Sequence, residues 1–387
     1  MTIILDNRKE IAGPGLHALV VGVSEYAHLP RHDDPPSEAT WMLRSLGSGA
    51  ISAAHVANWL KEAVGLSRPL KTLRVLLSPT AIERDKLPEW AINCGSPIRD
   101  NFAQEAQQWR IDCTDDRNSV AFFYYIGHGF ARGRGEYNVL LAMEDLFDTP
   151  DVLQKTTLAS NLFNGMAPQS ENDSVAREQF FFFDCCRTFP SEIREFDDLS
   201  VPTALMVRIA EGVPDDRLYL RCFAVPDNDS AFARVGEDSY FATGLIDSLN
   251  RSGISVDGTA WKLDGESISQ RLRARYQLAA ERAVVSEVVG GGPTLKILAQ
   301  PPTVDVEVGL EPTVDATNHA IALNHAVLGR KIGDQIALGK YKIDVSPGEY
   351  ELNIRFGAED WHATNDPHDR KLILPNFANP WISMGWK

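Results

Sequence analysis

Long apolar runs are missing from this 387-residue chain. No segment approaches the roughly 18 uninterrupted apolar residues that a bilayer-spanning helix requires, and the opening MTIILDNRKE turns polar too early for a secretory signal. A cytoplasmic protein with no membrane partner is therefore expected. Positive charge is also short: 38 Lys and Arg face 53 Asp and Glu, a formal net charge of −15. That balance opposes extended contact with nucleic-acid phosphates and sets nucleic acid aside as a partner. Cysteine is scarce, and Cys94, Cys113, Cys185, Cys186 and Cys222 form an odd, scattered set with no CxxC pair and no Cys/His spacing suited to zinc. A reduced compartment and a thiol with a chemical task both stay open. No Gly-rich phosphate loop follows the first apolar run, no acidic loop has EF-hand spacing, and His319, His325, His362 and His368 are too scattered to ligate a metal. The expectation is no cofactor and no metal.

What the chain does contain is 44% hydrophobic residues, enough for a buried core, and a length that suits one large domain plus an accessory one. Short apolar runs of strand type recur at residues 17–23 (HALVVGV), 72–78 (TLRVLLS), 119–126 (SVAFFYYI), 178–184 (EQFFFFD) and 218–225 (LYLRCFAV). Helical periodicity lies between them at residues 52–64, 98–109, 157–163 and 238–249, and a longer helix is predicted around 267–285. Such alternation implies an α/β fold with a mostly parallel sheet covered by helices on both faces. A strand-like TLKIL at 294–298 follows, and the pattern changes at Gln300-Pro301-Pro302-Thr303. Two domains are therefore expected, 1–299 and 300–387. In the second, VDVEVGL, KYKIDV, YELNIRF and KLIL alternate between turn signals such as Ser346-Pro347-Gly348, the pattern of a small antiparallel β-sandwich. It is a candidate surface for a protein partner. The irregular stretch 30–49 after the first strand is a candidate rim for a site.

Two strand exits carry reactive residues. The aromatic run ending at Ile126 leads into Gly127-His128-Gly129, and the Phe180–Phe183 run leads into Asp184-Cys185-Cys186-Arg187. In a parallel sheet, reactive groups gather beyond the carboxyl ends of the strands, and neighbouring strands lie about 4.8 Å apart. If these two strands are neighbours, His128 and a cysteine share one edge. A thiol with a pKa near 8.5 needs a base to become a nucleophile, and His128 would supply it. The flanking glycines permit a sharp turn and close approach, so that the Gly129 amide can point at a developing oxyanion, with the nucleophile's own amide as the second donor.

These motifs resemble the caspase-like peptidases, a clan of caspases, metacaspases, paracaspases and bacterial relatives. The resemblance spans residues 16–298: an opening strand HALVVGVSEY, FFYYIGHG, FFFFDCCR, and a helix of the pattern SYFATGLIDSL. It implies a three-layer sandwich built on a mostly parallel six-stranded sheet. It also implies that the GHG histidine is the base, here His128, and that the third residue of D-x-C is the nucleophile, here Cys186. The oxyanion hole carries over to the amides of Gly129 and Cys186, and a backbone carbonyl often orients the histidine. The two residues lie 58 positions apart, against roughly 50 in caspases. Cys185 then turns back into the sheet, since strand residues alternate.

Subfamily assignment stays open, because Arg187-Thr188-Phe189-Pro190 matches neither the His-Ser-Gly of metacaspases nor the Arg-Gly of caspases. The position two before the nucleophile is Gln in caspases and Asp in metacaspases, where it helps to bind a basic residue; here it is Asp184. The expectation is a cysteine endopeptidase that cleaves a protein or peptide substrate after Arg or Lys. Asp227 and Asp229 are further candidates for that pocket, and Arg194, among Glu192, Glu195, Asp197 and Asp198, is a candidate self-processing point. Bacterial relatives commonly act in stress signalling, cell death or defence against phage. The alternative is a catalytically silent scaffold or sensor that binds a partner through its β domain.

Overall fold

The computed structural model describes residues 2–131, 138–187, 193, 201–208, 212–226, 234–255, 260–280, 283–311, 319–325, 328–337, 340–356, 362–363, 370–373 and 381–385. In chain order it opens with β1 (Ile3–Asp6), β2 (Leu16–Val23), α1 (Gly49–Glu62), β3 (Leu70–Ser78), the short α2 (Ala81–Arg84) and α3 (Glu89–Ile92), α4 (Arg99–Asp112) and β4 (Val120–Gly127). A small three-stranded sheet follows, formed by β5 (Gly129–Ala131), β6 (Val139–Ala142) and β7 (Thr156–Leu158), and then α5 (Ala159–Gly165) and β8 (Glu178–Cys185). Next come β9 (Leu218–Phe223), α6 (Tyr240–Arg251), β10 (Ile254–Ser255), β11 (Trp261–Asp264), α7 (Gly265–Ala280), β12 (Val285–Val289) and β13 (Thr294–Leu298).

The main sheet runs β1-β3-β2-β4-β8-β9-β12. Its five inner strands are parallel, and its two edge strands, β1 and β12, are antiparallel. The expected six strands are thus corrected to seven. The β1 edge is only half buried, so its short IILD carries a weak apolar signal. The long helix expected to reach 285 is Gly265–Ala280, and Val285, at its expected end, opens the β12 edge instead; the β-branched Val285, Val288 and Val289 favour a pleated strand there. The TLKIL strand belongs elsewhere, to a separate sheet β10-β11-β13.

Strand alternation sorts the core into two layers. Phe122, Tyr124, Ile126, Phe180 and Phe182 face one side with Ala50 and Val56 of α1, Leu245 of α6 and Leu272 of α7. Phe123, Tyr125, Phe181, Phe183 and Cys185 face the other with Phe102 and Trp109 of α4 and Leu162 of α5. The result is the three-layer arrangement that the sequence implies. Rows of buried phenylalanine on both faces, at about 25 cal/mol per Å² of apolar surface, anchor β4 and β8 firmly in the sheet. Their loops therefore start from fixed points.

Beyond residue 303, β14 (Val304–Glu311), β15 (His319–His325), β16 (Gly329–Ile332), β17 (Asp334–Ala337), β18 (Lys340–Val345), β19 (Gly348–Phe356), β20 (His362–Ala363), β21 (Arg370–Ile373) and β22 (Trp381–Gly385) build two sheets. One runs β17-β18-β14-β22; the other runs β16-β15-β19-β20, with β21 beside β19. All pairings are antiparallel except β14 with β22. Val304, Val306, Tyr341, Ile343 and Val345 from the first sheet share one cluster with Ile321, Leu323, Tyr350 and Leu352 from the second, a sandwich core. Among the described residues, no helix is long and apolar enough to cross a membrane.

Candidate active site

The parallel register of β4 and β8 pairs Ile126 with Asp184 and Gly127 with Cys185. The next residues, His128 and Cys186, therefore leave the sheet side by side, and both line one cleft of about 400 Å³. Asp184 lines the same cleft. So do residues 42–48, which answers the sequence expectation that the stretch after the first strand forms a rim. Asp227, Asp229 and Arg194 lie outside the described residues.

His128 is 9% exposed and is held at three points. Its backbone N–H donates to the Tyr26 hydroxyl at 2.7 Å, its carbonyl accepts from the Tyr125 hydroxyl at 2.9 Å, and its Nε2 lies 2.7 Å from the Arg44 carbonyl. The Tyr26 ring also packs on the imidazole, with centroids 4.9 Å apart. Because a carbonyl only accepts, Nε2 must carry the proton, which leaves Nδ1 as the basic nitrogen of the neutral ring. Burial holds this imidazole down at about 4, opposed by the hydrogen bond to Arg44. At neutral pH the ring is an uncharged base.

Arg44 is the residue that reading side chains alone misses, since it acts through its backbone. Its loop is tied down just beyond it: the Leu46 N–H donates to the Ser24 carbonyl at 2.7 Å, and the Tyr26 N–H to Ser45 Oγ at 3.1 Å. Just before it, Trp41 and Met42 adopt left-handed backbone at φ 52° and 59°. Two such residues without glycine cost about 1–2 kcal/mol each. Trp41 offsets part of that by packing edge-on against Phe130 and Phe147, at 6.0 and 5.0 Å.

Both glycines of the GHG motif are required, for a reason other than the turn expected. Neither lies in the left-handed region. A Cβ on Gly127 would sit 2.5 Å from the Tyr125 hydroxyl and 2.9 Å from that of Tyr26. One on Gly129 would sit 2.5 Å from the Cys186 carbonyl oxygen and 2.7 Å from Cys185 Sγ. The glycines thus let the histidine strand close onto the tyrosines and onto the cysteine segment. The Ala142 amide donates to the His128 carbonyl at 3.1 Å, so Gly129, one residue on, occupies a position whose own N–H points away from β6.

The two cysteines differ in setting. Cys185 is buried in the core as alternation predicts, and burial pushes its thiol well above the ordinary range. Cys186 is partly exposed at the cleft. The next residue, Arg187, is fully buried; it donates to the Val225 carbonyl at 3.2 Å and lies over the Phe223 ring, linking the end of β8 to the end of β9.

Asp184 is 2% exposed. Tyr124 donates to its Oδ2 at 3.0 Å, and Ser239, the N-cap of α6, donates to the same oxygen. Among the described residues, no donor is directed at Oδ1. Burial raises this carboxyl to about 7, against the lowering effect of the two hydroxyls. The cleft therefore has a titratable acid at its floor and a neutral base beside a partly exposed thiol. Among the described residues, no group of three or more His, Cys, Asp or Glu is placed to hold a metal ion.

Comparison with known proteins follows the same lines. A family model described as caspase domain matches residues 16–275. A probable protease from a Desulfuromonadales bacterium is 28% identical over 186 residues, covering 46% of this chain and 19% of that protein. The chain thus spans only about a fifth of that relative's length. Among solved structures, a protein from Geobacter sulfurreducens is similar over 72% of this chain and 94% of its own, at 11% identity and a TM-score of 0.42. Caspase-1 from Spodoptera frugiperda is similar over 71% and 88%, at 11% identity and a TM-score of 0.41.

Proposed function

Because the chain belongs to the caspase-domain family of peptidases, we propose that it is a cysteine endopeptidase in which His128 and Cys186 form a dyad and Asp184 selects a basic residue before the scissile bond. The observation that carries this reading is the shared cleft beyond β4 and β8, where the Nε2–H of His128 is fixed on the Arg44 carbonyl. Nδ1 is left to take the thiol proton.

The steps follow. Cys186 Sγ attacks the peptide carbonyl as its proton passes to His128 Nδ1, and the new S–C bond gives a tetrahedral oxyanion. The amides of Gly129 and Cys186 are the proposed donors to that oxyanion, supported for Gly129 by its N–H pointing away from β6. The C–N bond then breaks as the imidazolium returns the proton to the leaving amine. Water, deprotonated by the same nitrogen, cleaves the thioester and frees the thiol. The low proton affinity of the buried imidazole argues for a neutral thiol and imidazole at rest, with proton transfer accompanying attack. For substrate choice, Oδ1 of Asp184 is available to a guanidinium or ammonium while the two hydroxyls hold Oδ2.

Labelling with a peptidyl chloromethyl ketone ending in arginine tests this. Label is expected on the wild type and on Cys185→Ala, and is expected to vanish in Cys186→Ala. Label retained by Cys186→Ala would overturn the assignment, and no label on any form would point to a silent scaffold.

A further inference from the structure

The charges around the cleft are arranged by depth. Among the described residues lining it, the acid is Asp184 at the floor, and the permanent cations are Arg44 and Arg234. Both arginines are exposed. Each stands by an apolar side chain that also lines the cleft and is open to solvent, Met42 at 55% and Val235 at 48%. Their existing partners are weak: Arg44 reaches the Asp34 carbonyl at 3.3 Å, and Arg234 lies 3.8 Å from Glu237, a pair 71% and 60% exposed. Exposed pairs of that kind contribute little, so the guanidinium groups can exchange them for a ligand.

A positive rim on a molecule of net charge −15 runs against its surroundings. At long range the protein repels anionic peptides and attracts cationic ones. Preference for acidic residues near the scissile bond would therefore come from local contacts, opposite in sign to the background field. We infer that the substrate is a segment in which one basic residue is flanked by acidic residues, the base read by Asp184 at the floor and the acids by Arg44 and Arg234 at the rim. This rests on the peptidase reading above and adds the flanking specificity to it. The apolar neighbours Met42 and Val235 give those subsites room for an aliphatic or aromatic residue between the acids. The chain's own residues 190–199, PSEIREFDDL, have such a pattern and make a convenient probe by composition.

The test compares two synthetic peptides with the full chain, PSEIREFDDL and a copy with every Glu and Asp changed to Gln and Asn, and adds a third with Asp in place of the arginine as a control. Each arginine is expected to contribute about 2- to 5-fold, so the acidic peptide should show about 4- to 25-fold higher kcat/KM at low salt. The ratio should shrink toward one at 1 M salt, where the screening length is about 3 Å. Arg234→Glu and Arg44→Glu should each lower the ratio, and because both peptides are compared within one variant, loss of overall activity cancels. Cleavage of both peptides after arginine with a ratio of one or less would overturn the inference and leave the basic specificity standing. Cleavage of neither, or faster cleavage when Asp replaces the arginine, would overturn both.

Discussion

Two side chains in the cleft carry opposite shifts, and their combination fixes a pH signature. Burial keeps His128 neutral down to about 4, so the base is in its working form throughout the neutral and mildly acid range. Burial also lifts Asp184 to about 7, so its carboxylate, the form that attracts a guanidinium, is lost as pH falls through that value. A bound cation favours the carboxylate and draws its titration to lower pH. With an arginine substrate, kcat/KM, which reports the free enzyme, should therefore decline by about tenfold per pH unit below 7, while kcat holds to lower pH. A kcat/KM that stays flat from pH 8 to pH 5 would remove Asp184 from the binding role. Part of the site was legible in the sequence: alternation along β8 sends Cys185 into the core, and the family resemblance of D-x-C pointed to Cys186, which is partly exposed at the cleft. The Arg44 carbonyl was not legible, because every residue has a carbonyl and only the chain path through Trp41 and Met42 aims this one.

The elements matter here through how closely two of them approach. The segment from β4 to β5 and the end of β8 touch through the hydrogen atoms of Gly129, while Gly127 leaves room for the hydroxyls of Tyr26 and Tyr125 behind His128. Gly129→Ala must push the Cys186 carbonyl and the histidine strand apart, at about 1–3 kcal/mol of stability. A displacement of about 1 Å between reacting groups is worth about 100-fold in rate. Near-normal folding by circular dichroism, with peptide hydrolysis reduced about 100-fold, is the expected outcome; full activity would show that the contact is not needed. Tyr26→Phe keeps the ring packed on the imidazole and removes only the hydroxyl, leaving the His128 N–H without its acceptor, a loss of about 1–3 kcal/mol. It should lower kcat and leave KM unchanged. The sequence marks both glycines, but it assigns them to a turn and a close approach to substrate; the groups that require them, the hydroxyls of Tyr26 and Tyr125 and the end of β8, are brought up against them only by the fold.

At the scale of the whole molecule, the described residues form three apolar clusters with no member in common. The first two lie on opposite faces of one sheet and share its strands, so they must melt together. The third belongs to the strands after residue 303 and has sheets of its own. The architecture changes across Ala299-Gln300-Pro301-Pro302-Thr303, a stretch with two prolines and no regular element between β13 and β14. Among the described residues, one ion pair spans the two parts, Arg251 with Asp344 at 3.6 Å, and with side chains 29% and 59% exposed it couples them weakly. Cooperative unfolding needs shared buried surface, so two transitions are expected in calorimetry, the larger enthalpy belonging to the part with the main sheet. Brief proteolysis should cut within residues 299–303 and leave a fragment that still takes the ketone label. A single transition whose calorimetric and van't Hoff enthalpies agree would mean that the sandwich completes the fold of the peptidase part, and its role would then begin with stability rather than with a partner.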